Sequence, residues 1–290
     1  MRSIQPQNMT TVTYEVDNSV ANYMSQLIFK LWLWALNVVQ GYLITHRTFF
    51  LLLTFCIIFF CFSGIVNWAN DKEAAILRLG LVKPEIISWS PRIIVLHNFL
   101  SHEECDYLRA IARPRLQIST VVDTNTGKGI RSEVRTSSGM FLRHDERKYP
   151  LIEAIEKRIS VFSQVPVENG ELIQVLRYEK DQFYRPHHDY FSDSYNVKRG
   201  GQRVATMLMY LTDNVEGGET YFPMAGSGQC SCGKKTVTGM SVKPIKGNAV
   251  LFWSMGLDGK SDPNSVHGGC EVISGEKWSA TKWMRQRAMN

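Results

Sequence analysis

The stretch that decides the fold of this chain is Tyr184-Arg185-Pro186-His187-His188-Asp189, which is followed much later by His267 and, ten residues after that, by Lys277. On a β-strand, residues two apart point to the same face of the sheet. The strand pattern therefore predicts that the His187 imidazole and the Asp189 carboxylate lie side by side.

Strand-like sequence surrounds both parts of this motif. An apolar run at residues 171–178 precedes the pair, and His267 lies within a second run at residues 265–273. We therefore predict that two distant strands carry His187, Asp189 and His267 to one point.

Two histidines and one carboxylate form the facial triad that suits non-haem Fe(II) and leaves coordination positions open. A His-x-Asp pair is a weak signal by itself, because a turn histidine beside a turn-forming aspartate gives the same letters. The order of the three residues, their strand context and the nearby Lys277 favour the metal site. Zinc is the chemical alternative, but a redox-silent metal gives no reason for a lysine that can bind a carboxylate-bearing cosubstrate.

Composition excludes some classes of function. The chain has 290 residues and a formal net charge of +6, with its basic and acidic residues interleaved. It contains no dense basic run and no aromatic-plus-basic motif, so we expect no nucleic-acid partner. The roughly 200 residues after residue 86 suffice for one β-rich domain.

The order of the elements predicts an α+β fold that is mainly β. Ser101 and Glu104 form a capping box ahead of a helix that reaches about Ala112, and Pro150 opens a second helix. The apolar face predicted for this second helix holds Leu151, Ile152, Ile155, Ile159 and Phe162.

The later part of the chain reads mostly as strands. A Gly- and Thr-rich loop at 124–129, flanked by strands, is interpreted as a lid over a peptide groove. After residue 171 nearly every segment reads as a short strand between turns. Helices followed by strands favour a β-sandwich or jelly roll braced by helices.

From residue 86 to the C-terminus the chain resembles the prolyl 4-hydroxylases of the 2-oxoglutarate- and Fe(II)-dependent oxygenase superfamily, most of all the plant membrane-anchored type. The segments that carry the resemblance occur in the same order as in that family. They are RTSSG at 135–139, QVLRY at 174–178, PHHDYF at 186–191, RVATMLMYL at 203–211, GGETYFP at 217–223, VKP at 242–244, GNAVLFW at 247–253, HGGC at 267–270, KW at 277–278 and KWM at 282–284.

The resemblance implies an enzyme that hydroxylates peptidyl proline to 4-hydroxyproline in proline-rich secreted or cell-wall proteins. Its cofactors would be Fe(II), L-ascorbate and the cosubstrate 2-oxoglutarate, which reacts with O2 to give succinate and CO2. The superfamily is known for a double-stranded β-helix, in agreement with the predicted jelly roll. Homo- or hetero-oligomers with related hydroxylases are further implied partners.

The same resemblance implies roles for particular residues. The catalytic group would be His187, Asp189 and His267 as metal ligands and Lys277 as the partner of the distal 2-oxoglutarate carboxylate. Tyr178 and Thr220 would bind that carboxylate through their hydroxyl groups. Residues expected to bind the substrate are Tyr184, Arg203 and Trp283 around the target proline, and Arg135, Ser137 and Glu171 along the peptide backbone.

Two other functions stay open at this point. One is a related oxygenase that acts on another substrate, and the other is a non-catalytic subunit that binds peptides. Core packing is the alternative for Tyr184 and Trp283, and a surface salt bridge is the alternative for Arg203.

The N-terminal part differs in composition. Residues 48–66 read TFFLLLTFCIIFFCFSGIV, an uncharged run about long enough to span a bilayer. We predict a tail at 1–47, a transmembrane signal anchor at 48–66, a stem at 67–85 and the catalytic domain at 86–290. A further apolar segment at 27–44 is interpreted as an interfacial helix, with a second span left open.

Orientation follows only from the resemblance, because lysine and arginine flank the span on both sides. It implies a single-pass type II protein of the endoplasmic reticulum or Golgi membrane with a lumenal catalytic domain. The predicted domain contains Cys105, Cys230, Cys232 and Cys270, and three disulfide connectivities remain open.

Overall fold

The computed structural model describes residues 30–31, 71–123 and 125–288. The chain divides into two compact units, Met1–Asn70 and Asp71–Asn290, and the fold described below is that of the second unit. The predicted anchor at 48–66, and all of the predicted tail except residues 30–31, lie outside the described residues. Within the described ranges, no helix combines the length and the apolar character that a membrane crossing requires.

The described part of the second unit contains four α-helices, four short 3-10 helices and eighteen strands. The α-helices are α1 (Lys72–Leu77), α2 (His102–Ala112), α3 (Pro150–Ser163) and α4 (Ser194–Lys198). The 3-10 helices are Arg113–Arg115, Glu146–Lys148, Val167–Asn169 and Pro263–Ser265. The strands are β1 (Lys83–Trp89), β2 (Arg92–His97), β3 (Gln117–Ile118), β4 (Val121–Val122), β5 (Gly129–Ile130), β6 (Ser138–Phe141), β7 (Gln174–Tyr178), β8 (Tyr184–His187), β9 (Arg203–Tyr210), β10 (Glu216–Gly217), β11 (Thr220–Phe222), β12 (Gln229–Cys232), β13 (Lys235–Thr238), β14 (Met240–Val242), β15 (Ala249–Trp253), β16 (His267–Gly269), β17 (Val272–Ser274) and β18 (Lys277–Arg285).

Two antiparallel sheets form the framework. The larger has eight strands in the order β1-β2-β15-β9-β18-β7-β6-β3, and the smaller has four in the order β14-β11-β16-β8. Three two-stranded ribbons, β10–β17, β12–β13 and β4–β5, are attached to them. The prediction of a mainly β fold with few helices is therefore confirmed, and the two sheets are consistent with a jelly roll.

The larger sheet separates two hydrophobic layers because its side chains alternate with a period of two. Along β9, Met207 and Met209 belong to the core that also contains residues of α2 and α3. Tyr210 and Phe222 belong to a second cluster, which joins the larger sheet to β11 of the smaller one. Helices therefore brace one face of the larger sheet, while its other face packs on the smaller sheet and lines the space between them.

The two helices predicted from the sequence are present. Ser101 caps α2, and both hydrogen bonds of its capping box with Glu104 are formed. Pro150 is the first residue of α3, whose Ile152, Ile155 and Ile159 are buried in the core, as predicted. These local signals succeed because capping and helical periodicity depend on residues a few positions apart.

The segment that the sequence assigns to a stem contains regular structure. Residues 72–77 form α1, and β1 begins at Lys83, so the predicted boundary at residue 86 falls inside a strand. The buried Arg158 of α3 donates hydrogen bonds to the carbonyl oxygens of Ile76 and Phe99 and pairs with Glu104. Residues 71–85 thus pack as part of the compact unit.

Candidate metal and cosubstrate site

Neighbouring strands of the smaller sheet carry the two predicted histidine ligands. Strands β8 and β16 pair antiparallel, and His267 lies opposite His187 in their register. A Cβ atom at Gly268 would lie 3.0 Å from the carbonyl oxygen of Tyr184, a tight contact that would require the neighbouring backbone to shift by a few tenths of an ångström. Glycine at position 268 therefore allows the two ligand-bearing strands to approach each other.

Asp189 reaches the site from a position that the strand pattern did not predict. Strand β8 ends at His187, so Asp189 lies in a bend two residues beyond it rather than on the strand face. Its carboxylate still turns toward the histidines: Oδ1 is 3.7 Å from Nε2 of His187, and Oδ2 is 3.5 Å from Nε2 of His267. The three residues offer ligand atoms that all lie within 4.8 Å of one another.

Hydrogen bonds fix which nitrogen of each imidazole can bind a metal. Nδ1 of His187 lies 2.9 Å from the carbonyl oxygen of Arg185, and Nδ1 of His267 lies 3.0 Å from that of Ser265. A carbonyl oxygen only accepts, so each Nδ1 carries the hydrogen and each Nε2 keeps its lone pair. Such carbonyl contacts orient metal-binding histidines in general.

The charges of this cluster suit a dication. Burial lowers the pKa of His187, and the neighbouring His267 lowers it further, so the imidazole stays neutral. Burial alone would raise the pKa of Asp189, but His267, His187 and Arg203 outweigh it and lower that pKa. The site thus combines two imidazoles with one ionised carboxylate, the donor set that non-haem Fe(II) binds.

Thr206 of β9 anchors the carboxylate ligand. Its hydroxyl group donates a hydrogen bond of 2.6 Å to Oδ2 of Asp189, and both residues are buried. This contact was missed from the sequence, although alternation along 203–210 places Thr206 and Tyr210 on one face of an apolar strand. A hydroxyl group on the inner face of such a strand is the signal that could have revealed it.

Lys277, the first residue of β18, supplies a buried cation in the same cavity as the three ligands. Its side chain is 3% exposed, and among the described residues its ammonium has no ion pair or hydrogen bond. Burial lowers the pKa of Lys277 to about 8, against a smaller opposing effect of the Glu219 charge. An unpaired buried ammonium is costly, so this position fits an anionic ligand.

Two tyrosine rings lie close to the ammonium. Its Nζ is 5.5 Å from the ring centroid of Tyr178 and 5.8 Å from that of Tyr210. Tyr210 donates a 2.7 Å hydrogen bond to Oγ1 of Thr220, which leaves the Thr220 hydrogen free to bind another acceptor. Tyr178, Thr220 and Lys277 therefore line one cavity with the metal ligands, and these residues fit Fe(II) and a dicarboxylate together.

A separate groove with a volume of about 370 Å³ opens beside this cavity. Ribbon β4–β5, residues 184–193, Arg203 and Trp283 line it. Two buried donors at its wall, Nε of Arg135 and Nε1 of Trp283, have no hydrogen-bond partner within the described residues. Because an unsatisfied buried donor costs about 1–3 kcal/mol, this wall is suited to a ligand that brings acceptors.

Tyr184 and Arg135 line both the cavity and the groove. The Tyr184 ring stacks on His187 with centroids 3.6 Å apart, and the Arg135 guanidinium lies 4.7 Å from the centroid of the same ring. Burial raises the pKa of Tyr184 to about 12. Arg135 also donates to the carbonyl of Thr120 and to Oε1 of Gln174, which fixes its plane.

Three of the predicted substrate residues, Arg203, Trp283 and Glu171, contact one another. Arg203 makes two hydrogen bonds to Glu171, of 2.7 and 2.8 Å, and its guanidinium lies 4.0 Å from the ring of Trp283. Glu171 accepts a further 2.7 Å bond from Arg285. Arg203 therefore does form a salt bridge, but a buried one rather than the surface pair that the sequence left open as an alternative. The peptide-binding roles of Arg203, Trp283 and Glu171 stay predictions.

Ser137 is buried as well. Its side chain is 1% exposed and its hydroxyl group bonds to that of Ser119, so the groove surface is formed by other residues. Its predicted contact with a peptide stays a prediction.

The structure identifies which of the domain cysteines form a disulfide. Cys232 and Cys270 form a disulfide, whereas Cys105 and Cys230 are free. The bridge joins β12 to the residue that follows β16, close to His267.

Comparison with known proteins agrees with this geometry. A family model for the 2OG-Fe(II) oxygenase superfamily matches residues 173–285, which include all three ligands and Lys277. The fold and the site define a dioxygenase that depends on 2-oxoglutarate and iron, as predicted.

Sequence relatives identify the family within this superfamily. Prolyl 4-hydroxylase 1 of Arabidopsis thaliana is 77% identical over 224 residues, which cover 77% of this chain and 79% of the relative. Probable prolyl 4-hydroxylase 3 of the same plant is 52% identical over 225 residues, covering 74% and 77%. This chain belongs to the prolyl 4-hydroxylase family.

A solved structure gives a weaker comparison. The viral collagen prolyl hydroxylase of Paramecium bursaria Chlorella virus-1, solved as a 2OG complex, is 28% identical to this chain. The comparison covers 67% of this chain and 95% of that one, with a TM-score of 0.49.

Proposed function

We propose that this protein is a membrane-anchored prolyl 4-hydroxylase that converts peptidyl proline to 4-hydroxyproline in proline-rich secreted or cell-wall proteins. The observation that carries the proposal is the convergence of His187, Asp189 and His267 beside the unpaired Lys277 in one cavity. Family membership supplies the substrate class. When Fe(II), 2-oxoglutarate and O2 are bound, they supply the oxidation that inserts one oxygen atom into a C–H bond and releases succinate and CO2.

The residues of the chain contribute binding, orientation and exclusion of water. The carbonyls of Arg185 and Ser265 hold the imidazoles with Nε2 toward the metal position, and Thr206 holds the carboxylate. Lys277 would pair with the distal carboxylate of 2-oxoglutarate, and the hydroxyl groups of Tyr178 and Thr220 would donate to it. Because these donors are buried, their interactions with the dicarboxylate are stronger than they would be in water.

The groove beside the cavity suits an extended proline-rich peptide. A polyproline II chain makes no internal hydrogen bonds, so its carbonyl groups seek donors, and its proline rings pack well on aromatic side chains. The rings of Tyr184 and Trp283 provide such surfaces. The unpaired N–H groups of Arg135 and Trp283 provide donors for peptide carbonyls.

The cellular setting rests on the N-terminal sequence. We propose that the uncharged run at 48–66 anchors the protein as a single-pass type II protein of the endoplasmic reticulum or Golgi membrane, with the catalytic unit in the lumen. The Cys232–Cys270 disulfide fits an oxidising compartment. Homo- or hetero-oligomers with related hydroxylases belong to the same proposal.

One assay tests the catalytic proposal. The full chain is incubated with Fe(II), 2-oxoglutarate, L-ascorbate and a proline-rich peptide, and succinate and peptide mass are measured. We expect equal amounts of succinate and peptide that has gained one oxygen atom on proline. The His267→Ala variant, which lacks one ligand, should give neither product.

Two other outcomes of this assay would contradict the proposal. Tight peptide binding without succinate would indicate a non-catalytic peptide-binding subunit. Succinate formed only with substrates that lack proline would indicate a related oxygenase with another specificity.

A further inference from the structure

The outer face of the smaller sheet carries a second depression, which we call the outer trough. One wall consists of residues 183–186, the other of Tyr221, Cys232 and Lys235, and the floor of residues 268–271. Its volume of about 370 Å³ lies within the usual range of ligand sites. Gly268 contributes no side chain to the floor, and the sulfur of Cys270 is bound to Cys232.

The wall that carries Lys235 is held in place by covalent and polar contacts. The Cys232–Cys270 disulfide joins ribbon β12–β13 to the floor. The buried carboxylate of Glu219 accepts hydrogen bonds from Oγ of Ser231 (3.2 Å) and from the backbone N–H of Gly233 (2.9 Å). The outer trough is therefore a fixed feature of the fold rather than a gap beside a loose ribbon.

The chemistry of the walls combines aromatic surface with hydrogen-bond donors. Phe183 and Tyr221 supply rings, and Pro186 adds apolar surface. Arg185 and Lys235 are exposed, and within the described residues neither forms a salt bridge. By contrast, the adjacent Lys234 lies outside the lining and pairs at 3.1 Å with Glu271, which contributes the one carboxylate among the lining residues.

The outer trough is continuous with the groove at the metal site. Tyr184, Arg185 and Pro186 of β8 line both depressions, so one extended ligand can contact the two sides of this strand. A chain whose target residue lies at Tyr184 would have its flanking residues close to Arg185 and Pro186.

We propose that the outer trough is a second binding site for the proline-rich polypeptide substrate and takes the residues that flank the target proline. This inference rests on the proposed function. Aromatic rings suit proline side chains, while Arg185 and Lys235 donate to backbone carbonyls that a polyproline II chain leaves unpaired. The site makes affinity depend on peptide length, because only a long substrate reaches it.

The test compares labelled proline-rich peptides of about 3 and about 12 residues, the latter spanning about 37 Å as polyproline II. Binding to the full chain with Mn(II) and 2-oxoglutarate is measured by fluorescence anisotropy, and kcat and KM are measured with Fe(II). For Lys235→Ala and Tyr221→Ala we expect about tenfold weaker binding of the long peptide, roughly 1.4 kcal/mol. The short peptide should bind and react as with the wild type.

The neighbouring substitution Lys234→Ala is the matched control, since it removes an ammonium that is adjacent to Lys235 in the chain but outside the lining. It should leave both peptides unaffected. Equal losses for short and long peptides, or no loss for the long one, would overturn the inference. If no peptide is hydroxylated while the length-dependent binding and its loss in Lys235→Ala persist, the proposed function fails and the outer trough stands.

Discussion

Replacing Thr206 by valine should weaken Fe(II) binding while leaving turnover at saturating iron close to that of the wild type. Thr206 donates a 2.6 Å hydrogen bond to Oδ2 of Asp189, and the side chains of both residues are buried. Valine keeps the branched shape but cannot donate. Asp189 would then hold its negative charge without the one side-chain hydroxyl that orients it among the described residues.

The size of the effect follows from the charge and burial of the acceptor. A hydrogen bond to a charged group contributes about 1.5–3 kcal/mol. Loss of an outer contact to a metal ligand usually costs about 10–100-fold in metal affinity, which corresponds to about 1.4–2.8 kcal/mol. The two routes agree, so we expect the Fe(II) dissociation constant to rise by about 10–100-fold.

The assay is an anaerobic competition titration in which a fluorescent chelator and the protein compete for Fe(II). Thr206→Ser, which keeps the hydroxyl group, is the control and should restore most of the affinity. An unchanged dissociation constant in Thr206→Val would refute the reasoning. A loss of the same size in Thr206→Ser would show that packing rather than the hydrogen bond matters.

Three further results are expected. Lys277→Ala should raise the KM for 2-oxoglutarate by about tenfold or more with little change in peptide KM, since it removes the ion-pair partner of the distal carboxylate; an unchanged cosubstrate KM would contradict the assignment. Because burial lowers the pKa of Lys277 to about 8, the ammonium is present below that pH and lost above it, so isothermal titration should find 2-oxoglutarate affinity falling as pH rises through 8. Lys277→Arg, which stays charged, should remove this pH dependence, and its persistence would point to another group. Glu171→Ala removes the carboxylate that pairs with the buried Arg203 and Arg285, so it should reduce the free energy of unfolding by about 3–5 kcal/mol in a denaturant titration. The control Glu179→Ala, which breaks a more exposed pair with Arg177, should change that free energy by less than about 1 kcal/mol.

Local patterns predicted much of the framework. The capping box at Ser101 and Glu104 and the proline at position 150 marked two helix starts that the structure contains. The spacing of Ile152, Ile155 and Ile159 identified the buried face of α3. Such signals are reliable because they arise from residues within one or two helical turns of each other.

Predictions that depended on a contact between distant residues were confirmed only in part. The sequence placed His187 and His267 on two strands, and β8 and β16 do pair at those positions. It also placed Asp189 on the strand face, whereas the carboxylate arrives from a bend because β8 ends at His187. The predicted proximity of His187 and Asp189 is confirmed, but the prediction that both lie on one strand face is wrong.

The sequence alone determined the residue types of a facial triad, the lysine that accompanies them and the helices that brace the sheet, because these are recorded in composition and short-range spacing. Only the tertiary structure decided that Thr206 holds Asp189, that Cys232 pairs with Cys270, and that Glu171 is shared by two arginines. These partners are separated by 17 to 114 positions in the chain. Which of many chemically suitable partners meet is set by the register and packing of the sheets, and no short-range pattern encodes that choice.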